Sequence, residues 1–235
     1  MRTFQHALTA AILWSSVVTL PACALLGKNP PLVPRYFTPA IETPAPKSEA
    51  PPQSDQRLRL GRVEASAHLR ERMAYRTSGQ EIGYYNERRW TERPESYLRR
   101  SLSRSLFEIR GVTRAVSGAA PTLDAELVAF EEIKGDSHRV RVEVVMSLDD
   151  PTLGSVQRTV TVEREVSGDD QDDPTPVVQA LAQALSEAVE QICDRVIERL
   201  AQLPPQGPPP NPAPAGTSTT TLTTESTPAP ATPKR

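Results

Sequence analysis

Cysteine and aromatic residues are scarce in this sequence. Only two of its 235 residues are cysteine, at positions 23 and 193, and aromatic residues make up 5%. Two cysteines cannot build a disulfide-rich scaffold or a zinc site of four cysteines. The formal net charge is −2, which argues against a protein that neutralises phosphates, so no nucleic-acid partner is expected.

Residue patterns typical of catalysis are also missing. His68 and His138 are the only histidines beyond the first twenty residues, and no cysteine lies near either. The sequence has no Gly-x-Ser-x-Gly, no Ser-x-x-Lys and no glycine-rich phosphate loop. The acidic run at 169–173 lacks the alternating spacing and glycine of a calcium loop. We therefore expect no enzyme, no metal site and no cofactor other than covalent lipid.

The N-terminus has the three parts of an export signal. Arg2 and His6 form a weakly basic head, and an uncharged apolar run from Ala7 to Leu20 follows. As a helix, this run would span about 21 Å, which is short of a hydrocarbon core about 30 Å thick. The pattern predicts a signal peptide over residues 1–22 rather than a transmembrane helix.

The end of the apolar run resembles a bacterial lipobox. Leu20, Pro21 and Ala22 precede Cys23, although Pro21 stands where a small residue is usual. We expect signal-peptidase recognition of these three residues and attachment of diacylglycerol and acyl chains to Cys23. The alternative is an ordinary secretory signal with an incidental cysteine. Ala24, in place of an aspartate, favours the periplasmic leaflet of the outer membrane of a Gram-negative bacterium.

Composition divides the remaining chain into three parts. Residues 23–56 form a lipidated tether with a Pro-rich connection from 38, and residues 33–37 are a candidate strand too short to assign alone. Residues 57–203 form one compact domain. The Pro/Thr-rich tail at 204–235 cannot bury enough apolar surface to offset its chain entropy, which predicts disorder.

Hydrophobic periodicity predicts the fold of the domain. Alternation indicates strands, spacings of three to four indicate helices, and Thr175 is the expected cap of the last helix. The resulting order is a strand at 57–64, a hairpin at 72–85, a helix at 94–109, strands at 123–129, 140–148 and 156–166, and a helix at 176–203. The fold class is α+β, an antiparallel-rich mixed sheet with two amphipathic helices packed on one face.

One stretch concentrates aromatic and basic residues just before the first helix. The candidates for contact with a partner are Tyr84, Tyr85, Arg88, Arg89 and Trp90. Clusters of tyrosine, tryptophan and arginine are typical of interface anchors. The alternative for Trp90 is that it closes the junction between sheet and helix. For the arginines, solvated surface and partner contact remain open.

These motifs resemble the ABC-type transport auxiliary lipoprotein family, the PqiC-like proteins. The resemblance rests on Cys23, the pair Tyr36-Phe37, Tyr84-Tyr85, Trp90 and Pro94 at the start of an amphipathic helix, followed by the meander and helix of 123–203. It implies a non-enzymatic part of a lipid-transport system that works with an MCE-domain protein and the permease and ATPase of an ABC transporter. A homo-oligomeric ring is consistent with such a role.

Two other functions stay open from the sequence. The domain could itself bind a lipid between its helices and sheet, or it could assist assembly of lipopolysaccharide or proteins in the outer membrane. A large apolar pocket would favour the first of these alternatives.

Overall fold

The computed structural model describes residues 32–41, 55–135, 137–152, 154–168 and 172–203. The predicted signal peptide, Cys23 and the tail at 204–235 lie outside these residues. The elements in chain order are β1 (Arg35–Phe37), β2 (Arg57–Ala65), β3 (Arg72–Arg76), β4 (Ile82–Trp90), α1 (Pro94–Ser103), a π-helical segment (Arg104–Ile109), β5 (Thr113–Arg114), β6 (Thr122–Ile133), β7 (Arg139–Asp150), β8 (Gly154–Glu165) and α2 (Thr175–Ala201).

Eight strands form one mixed sheet around β6. On one side, β6 pairs antiparallel with β7, and β7 pairs antiparallel with β8. On the other side, β6 pairs in parallel with β2 and, further along, with β3. β3 continues antiparallel to β4, β4 is parallel to β1, and β2 is parallel to β5. The predicted α+β class and its three-stranded meander are confirmed.

β2 and β3 run end to end along the same edge of β6. Between them the chain leaves the sheet over residues 66–71, directly after the Ser66 amide donates to the Leu127 carbonyl at 2.9 Å. The register of β6 against β7 shifts between Leu127 and Ala129 at this level. A bulge of this kind increases the local twist. Within this 66–71 segment, the side chain of Leu69 is buried in the core.

The core lies between one face of the sheet and the two helices. Alternate residues of β7 are buried, as half-buried strands require. α2 contacts β6, β7 and β8, while α1 contacts β2, β6 and α2. The apolar stripe of α2 is buried along its whole length, and it comprises Val177, Leu181, Leu185, Ala188, Ile192, Val196 and Leu200.

Both predicted helices are present, and they differ from the predictions at their ends, including the end of α2 at Ala201 rather than at 203. The predicted helix over 94–109 ends in the π-helical segment rather than in regular α-helix. The prediction that Thr175 caps α2 is wrong, because the N-cap position is Pro174 and no side chain caps it. Instead, the Thr175 amide donates to Asp173 Oδ1 at 3.0 Å. This backbone hydrogen bond, followed by one from the Thr175 side chain, lowers the pKa of Asp173.

Candidate partner-binding surface

β4 places its two adjacent tyrosines on opposite faces of the sheet. Tyr84 pairs with Ala74 on the face away from the helices, and its hydroxyl donates to the His68 carbonyl at 3.1 Å. The guanidinium of Arg72 lies 5.6 Å from the Tyr84 ring centroid. Tyr85 points to the helix-covered face, because successive strand residues alternate. One partner therefore cannot contact both rings through the same face.

Tyr85 belongs to a hydrogen-bonded cluster around a buried carboxylate. Glu132 is 3% exposed, and it accepts from the Tyr85 hydroxyl and contacts His138 Nε2, both at 2.7 Å. The Tyr75 and Tyr85 ring centroids lie 4.9 Å apart, and Lys134 Nζ lies 4.6 Å from the Tyr85 ring centroid. Because its polar groups are paired within the chain, the cluster favours a packing role over a catalytic one.

The electrostatics of the cluster keep Tyr85 neutral. Burial raises the pKa of the Tyr85 phenol, and its hydrogen bond to Glu132 and the negative charge of Glu132 raise it further. Arg88 opposes this, since its guanidinium stacks 4.2 Å from the Tyr85 ring centroid. A phenol with this pKa donates a hydrogen bond and does not act as a nucleophile or a general base near neutral pH.

Arg88 and Arg89 lie where β4 pairs with β1. Arg88 is aligned with Arg35, and Arg89 with Tyr36. Both arginines are half-buried, and Arg88 also donates to the Asp172 carbonyl at 3.3 Å. Their positions give the junction of β1 and β4 a positive charge at the edge of the sheet.

Trp90 is a core residue. Its side chain is 1% exposed, and its ring centroid lies 5.0 Å from that of Phe130 and 6.3 Å from that of Tyr97. Its backbone amide donates to the Glu71 carbonyl at 2.6 Å. This burial supports the role of closing the sheet–helix junction rather than a contact with a partner.

Exposed apolar side chains lie on β1 and on the residues just before it. Leu32, Val33 and Tyr36 are 61%, 73% and 60% exposed, and Arg35 lies among them. We call these four residues the β1 edge patch. The sequence signal was the run from 33 to 37, which is too short to assign without its pairing to β4. Exposed apolar and basic residues at a strand edge suit an interface with another protein.

An open groove of about 980 Å³ lies between the segment after β1 and the exposed side of α2. Phe37, Ala40 and Val178 supply apolar lining, whereas α2 lines it with Gln179, Gln183, Glu187 and Glu190. Arg164 pairs with Glu187 at 2.7 Å within it. Because acidic and amide side chains form one wall, the lining is mixed, and the groove is not the large apolar pocket that would favour a lipid carrier.

The thiol of Cys193 is buried and unreactive. Cys193 is a free cysteine with no exposed surface. Burial raises the pKa of its thiol to about 11, although a hydrogen bond with Ser105 and the charge of Arg110 act in the opposite direction. Thiolates rather than thiols are reactive. We therefore interpret Cys193 as a packing residue.

The described residues contain neither a cluster of metal ligands nor a helix that could span a membrane. Among them, no group of three His, Cys, Asp or Glu side chains is placed to hold a metal ion. In the same residues, no helix has the length and apolarity needed to cross a membrane. Leu20, Pro21, Ala22 and Cys23 lie outside the described part of the chain, so the lipid attachment stays a prediction.

Comparison with known proteins gives a family match and two similar folds. A sequence model described as ABC-type transport auxiliary lipoprotein component matches residues 40–196. The crystal structure of protein XCC0632 from Xanthomonas campestris, assigned to family DUF330, superposes with a TM-score of 0.58 at 21% identity. That match covers 72% of this chain and 100% of the other. None of the curated proteins matches the sequence.

A second solved structure has the same fold. It is described as an uncharacterized protein, and it superposes with a TM-score of 0.53 at 18% identity, covering 70% of this chain and 99% of its own. At these identities the two structures establish a common fold and nothing about activity. The family assignment rests on the sequence match.

Proposed function

Because this chain belongs to the ABC-type transport auxiliary lipoprotein component family, we propose that it is a lipid-anchored, non-enzymatic subunit of an ABC transporter system that moves lipids across the periplasm. Its partners in this proposal are an MCE-domain protein together with the permease and ATPase. The observation that carries the proposal is the family match over most of the folded domain. The internally paired Glu132 cluster and the buried Cys193 support a role without catalysis.

The anchor in this proposal is Cys23 at the outer membrane. Leu32 follows Cys23 by nine residues. A fully extended chain spans at most about 3.6 Å per residue, so the β1 edge patch lies within roughly 30 Å of an acylated Cys23. Several long acyl chains hold a protein at a membrane essentially irreversibly, whereas one chain is marginal. The patch is thus kept close to the membrane surface.

The β1 edge patch is the proposed contact for the MCE-domain protein. Its exposed apolar side chains can be buried by a partner, and Arg35 with the neighbouring Arg88 and Arg89 favours a partner with acidic residues at its rim. Among the described residues, β1 is also the last strand on its side of the sheet, so a partner strand could pair with its outer edge. A homo-oligomeric ring remains part of the proposal.

The anchor is tested by replacing Cys23 in a chain that is still exported. The leader is exchanged for a secretory signal with its own cleavage site, and Cys23→Ala is introduced. We expect the protein to move from the outer-membrane fraction of a sucrose gradient to the soluble periplasmic fraction. Cys193→Ala with the native leader is the matched control and should stay in the membrane. Wild-type protein that is soluble, or whose mature mass shows no added lipid, would contradict the anchor.

The contact is tested by photocrosslinking from the patch in cells. A photoreactive phenylalanine analogue replaces Tyr36, and the same analogue at Thr161, which is exposed on β8, is the control. We expect a crosslink to the MCE-domain protein from position 36 and none from position 161. Charge reversal by Arg35→Glu should weaken the crosslink. Equal crosslinking from both positions, or crosslinking only to unrelated proteins, would reject the assignment.

A further inference from the structure

A loop between β5 and β6 presents the most exposed large apolar side chain of the described residues. Val116 is 85% exposed. Its neighbours Ser117, Gly118 and Ala119 are also exposed, whereas Ala115 and Ala120 are buried and fix the two ends. Gly118 has a φ of +79°, a conformation in which glycine carries no steric penalty. The loop therefore exposes Val116 to solvent, while the buried side chains of Ala115 and Ala120 anchor its two ends.

Two arginines of β2 hold this loop in place. Arg57 Nη2 donates to the Ser117 carbonyl at 3.3 Å, and Arg59 Nη2 donates to the Gly118 carbonyl at 2.9 Å. The Ala115 amide donates to the Leu58 carbonyl at 2.9 Å. These hydrogen bonds already hold the loop in one conformation. The loop therefore loses little conformational entropy when Val116 is buried by a binding partner.

The surroundings of the loop are basic. Arg114 stacks 4.1 Å from the Phe107 ring centroid and donates to Ser103 Oγ at 2.6 Å, and Arg99 Nη2 donates to the Gly61 carbonyl at 2.9 Å. Within the part of the chain that the structure describes, no ion pair involves Arg59, Arg99 or Arg114, nor Arg104 of the π-helical segment. These arginines and the loop 115–120 form what we call the arginine-framed loop.

Carboxylates also lie near the loop. Glu108 is exposed on the π-helical segment. Asp150, at the end of β7, lines a small cavity with Ala119 and Ala120 on the other side of the loop, and Asp194 is paired with Arg110. Asp124 Oδ1 accepts from the Arg62 amide beside Gly61, and Asp149 is aligned with Thr122 at the start of β6. Among the described residues, none of these carboxylates is in an ion pair with Arg59, Arg99, Arg104 or Arg114, so these guanidiniums can bind another anion.

We propose that the arginine-framed loop docks on an anionic phospholipid surface, with Val116 entering the headgroup region and the arginines binding lipid phosphates. Guanidinium groups match phosphate oxygens in charge and geometry. An apolar tip beside basic residues is the composition of interfacial membrane contacts. A specific protein interface needs about 800 Å² per partner with several buried anchors, whereas this loop offers one valine and dispersed arginines. A fluid surface requires no shape complementarity.

The proposal does not depend on acylation of Cys23, and its test uses the full chain. Ser117→Cys in a Cys193→Ala background is labelled with an environment-sensitive fluorophore and bound to vesicles of phosphatidylcholine, with or without 30% phosphatidylglycerol. The number of labels per chain, read from the intact mass, shows whether Cys23 is bare. A second label would show that Cys23 carries no lipid and would contradict the proposed anchor. The loop would then be judged from the fluorescence of Ser117→Cys in a chain that also carries Cys23→Ala.

We expect a blue shift and a several-fold brighter emission with the anionic vesicles only, reduced by high salt because screening weakens the phosphate contacts. Val116→Ser should abolish the shift. Arg104→Gln and Arg114→Gln should each lower the response to phosphatidylglycerol by roughly five-fold, as expected for the loss of one basic residue near an anionic surface. Arg158→Gln, an exposed arginine on β8, is the matched charge control and should change nothing.

The same label at Gly79→Cys controls for position. Gly79 lies in the β3–β4 loop, at the opposite end of the sheet from residues 115–120, and has open space around it. An equal response at positions 79 and 117, or no difference between neutral and anionic vesicles, would overturn the proposal. A response at 117 that requires an added protein rather than anionic lipid would identify a protein interface instead and would also overturn it.

Discussion

Replacing Trp90 with alanine distinguishes a core residue from an interface anchor. Trp90 and Trp14 are the only tryptophans in the chain, and Trp14 lies in the predicted leader. In the structure the Trp90 ring is buried between Phe130 and Tyr97. A core role predicts a large loss of folding free energy on truncation. A surface role predicts a small one, with the loss appearing in partner binding.

The expected magnitude follows from burial and ring contacts. Truncation of a buried tryptophan to alanine costs about 3–5 kcal/mol of unfolding free energy, and each well-placed aromatic pair contributes about 0.5–1.5 kcal/mol of that. Trp90→Phe keeps one ring between the two partners, so we expect about half the loss. A domain of this size is stabilised by about 5–15 kcal/mol, so Trp90→Ala removes a substantial fraction but leaves a measurable transition.

The assay is urea unfolding followed by far-UV circular dichroism. With a slope of roughly 2 kcal/mol per molar urea, Trp90→Ala should lower the midpoint by about 2 M. In the wild type, acrylamide should quench Trp90 fluorescence weakly when folded and strongly in urea. Arg89→Gln, at the adjacent half-buried position, is the control for general effects on β4. An alanine variant within about 1 kcal/mol of wild type, or quenching that is equal in both states, would refute the core assignment.

Two further predictions concern the interior. Because burial raises the Cys193 pKa to about 11 from an ordinary value near 9, the unfolded thiol ionises first as pH rises, and stability should fall by up to about 3 kcal/mol between pH 9 and 11. Cys193→Ala should flatten this slope in urea titrations, and an unchanged slope would contradict it. A Cβ at Gly83 would lie 2.4 Å from Tyr75 Cζ, so Gly83→Ala should cost about 1–3 kcal/mol of unfolding free energy. Gly79→Ala, with nothing within 4 Å, should be near neutral by the same measurement, and equal effects would exclude the steric explanation.

Local periodicity was sufficient to predict most elements of the fold. The alternating valines of β7 and the apolar stripe of α2 follow from the two-residue and 3.6-residue repeats, which depend on neighbours in sequence. Pro94 begins α1 as expected, because its fixed φ suits the first helical turn. The family resemblance was also accessible, since it rests on an ordered series of short motifs.

Other features depend on pairing between strands that are distant in sequence. Local sequence patterns do not reveal that pairing. Glu131 reads as a solvated strand residue, yet it is fully buried because β3 and β7 bring Arg76 and Arg141 to it at 2.7 Å and 2.6 Å. The segment at 35–37 is a strand only because β4 runs beside it.

By itself, then, the sequence determined the order of the longer strands and the two helices, the α+β class and the lipidation prediction at Cys23, because each depends on residues close together in the chain. It did not predict the two-residue strand β5. Only the tertiary structure decided which side chains are exposed for contact. Tyr84 and Tyr85 face opposite sides of the sheet, Trp90 is enclosed, and Val116 stands in solvent beside arginines of β2 and β5. Exposure depends on which strands and helices pack together, and residues distant in sequence determine that packing.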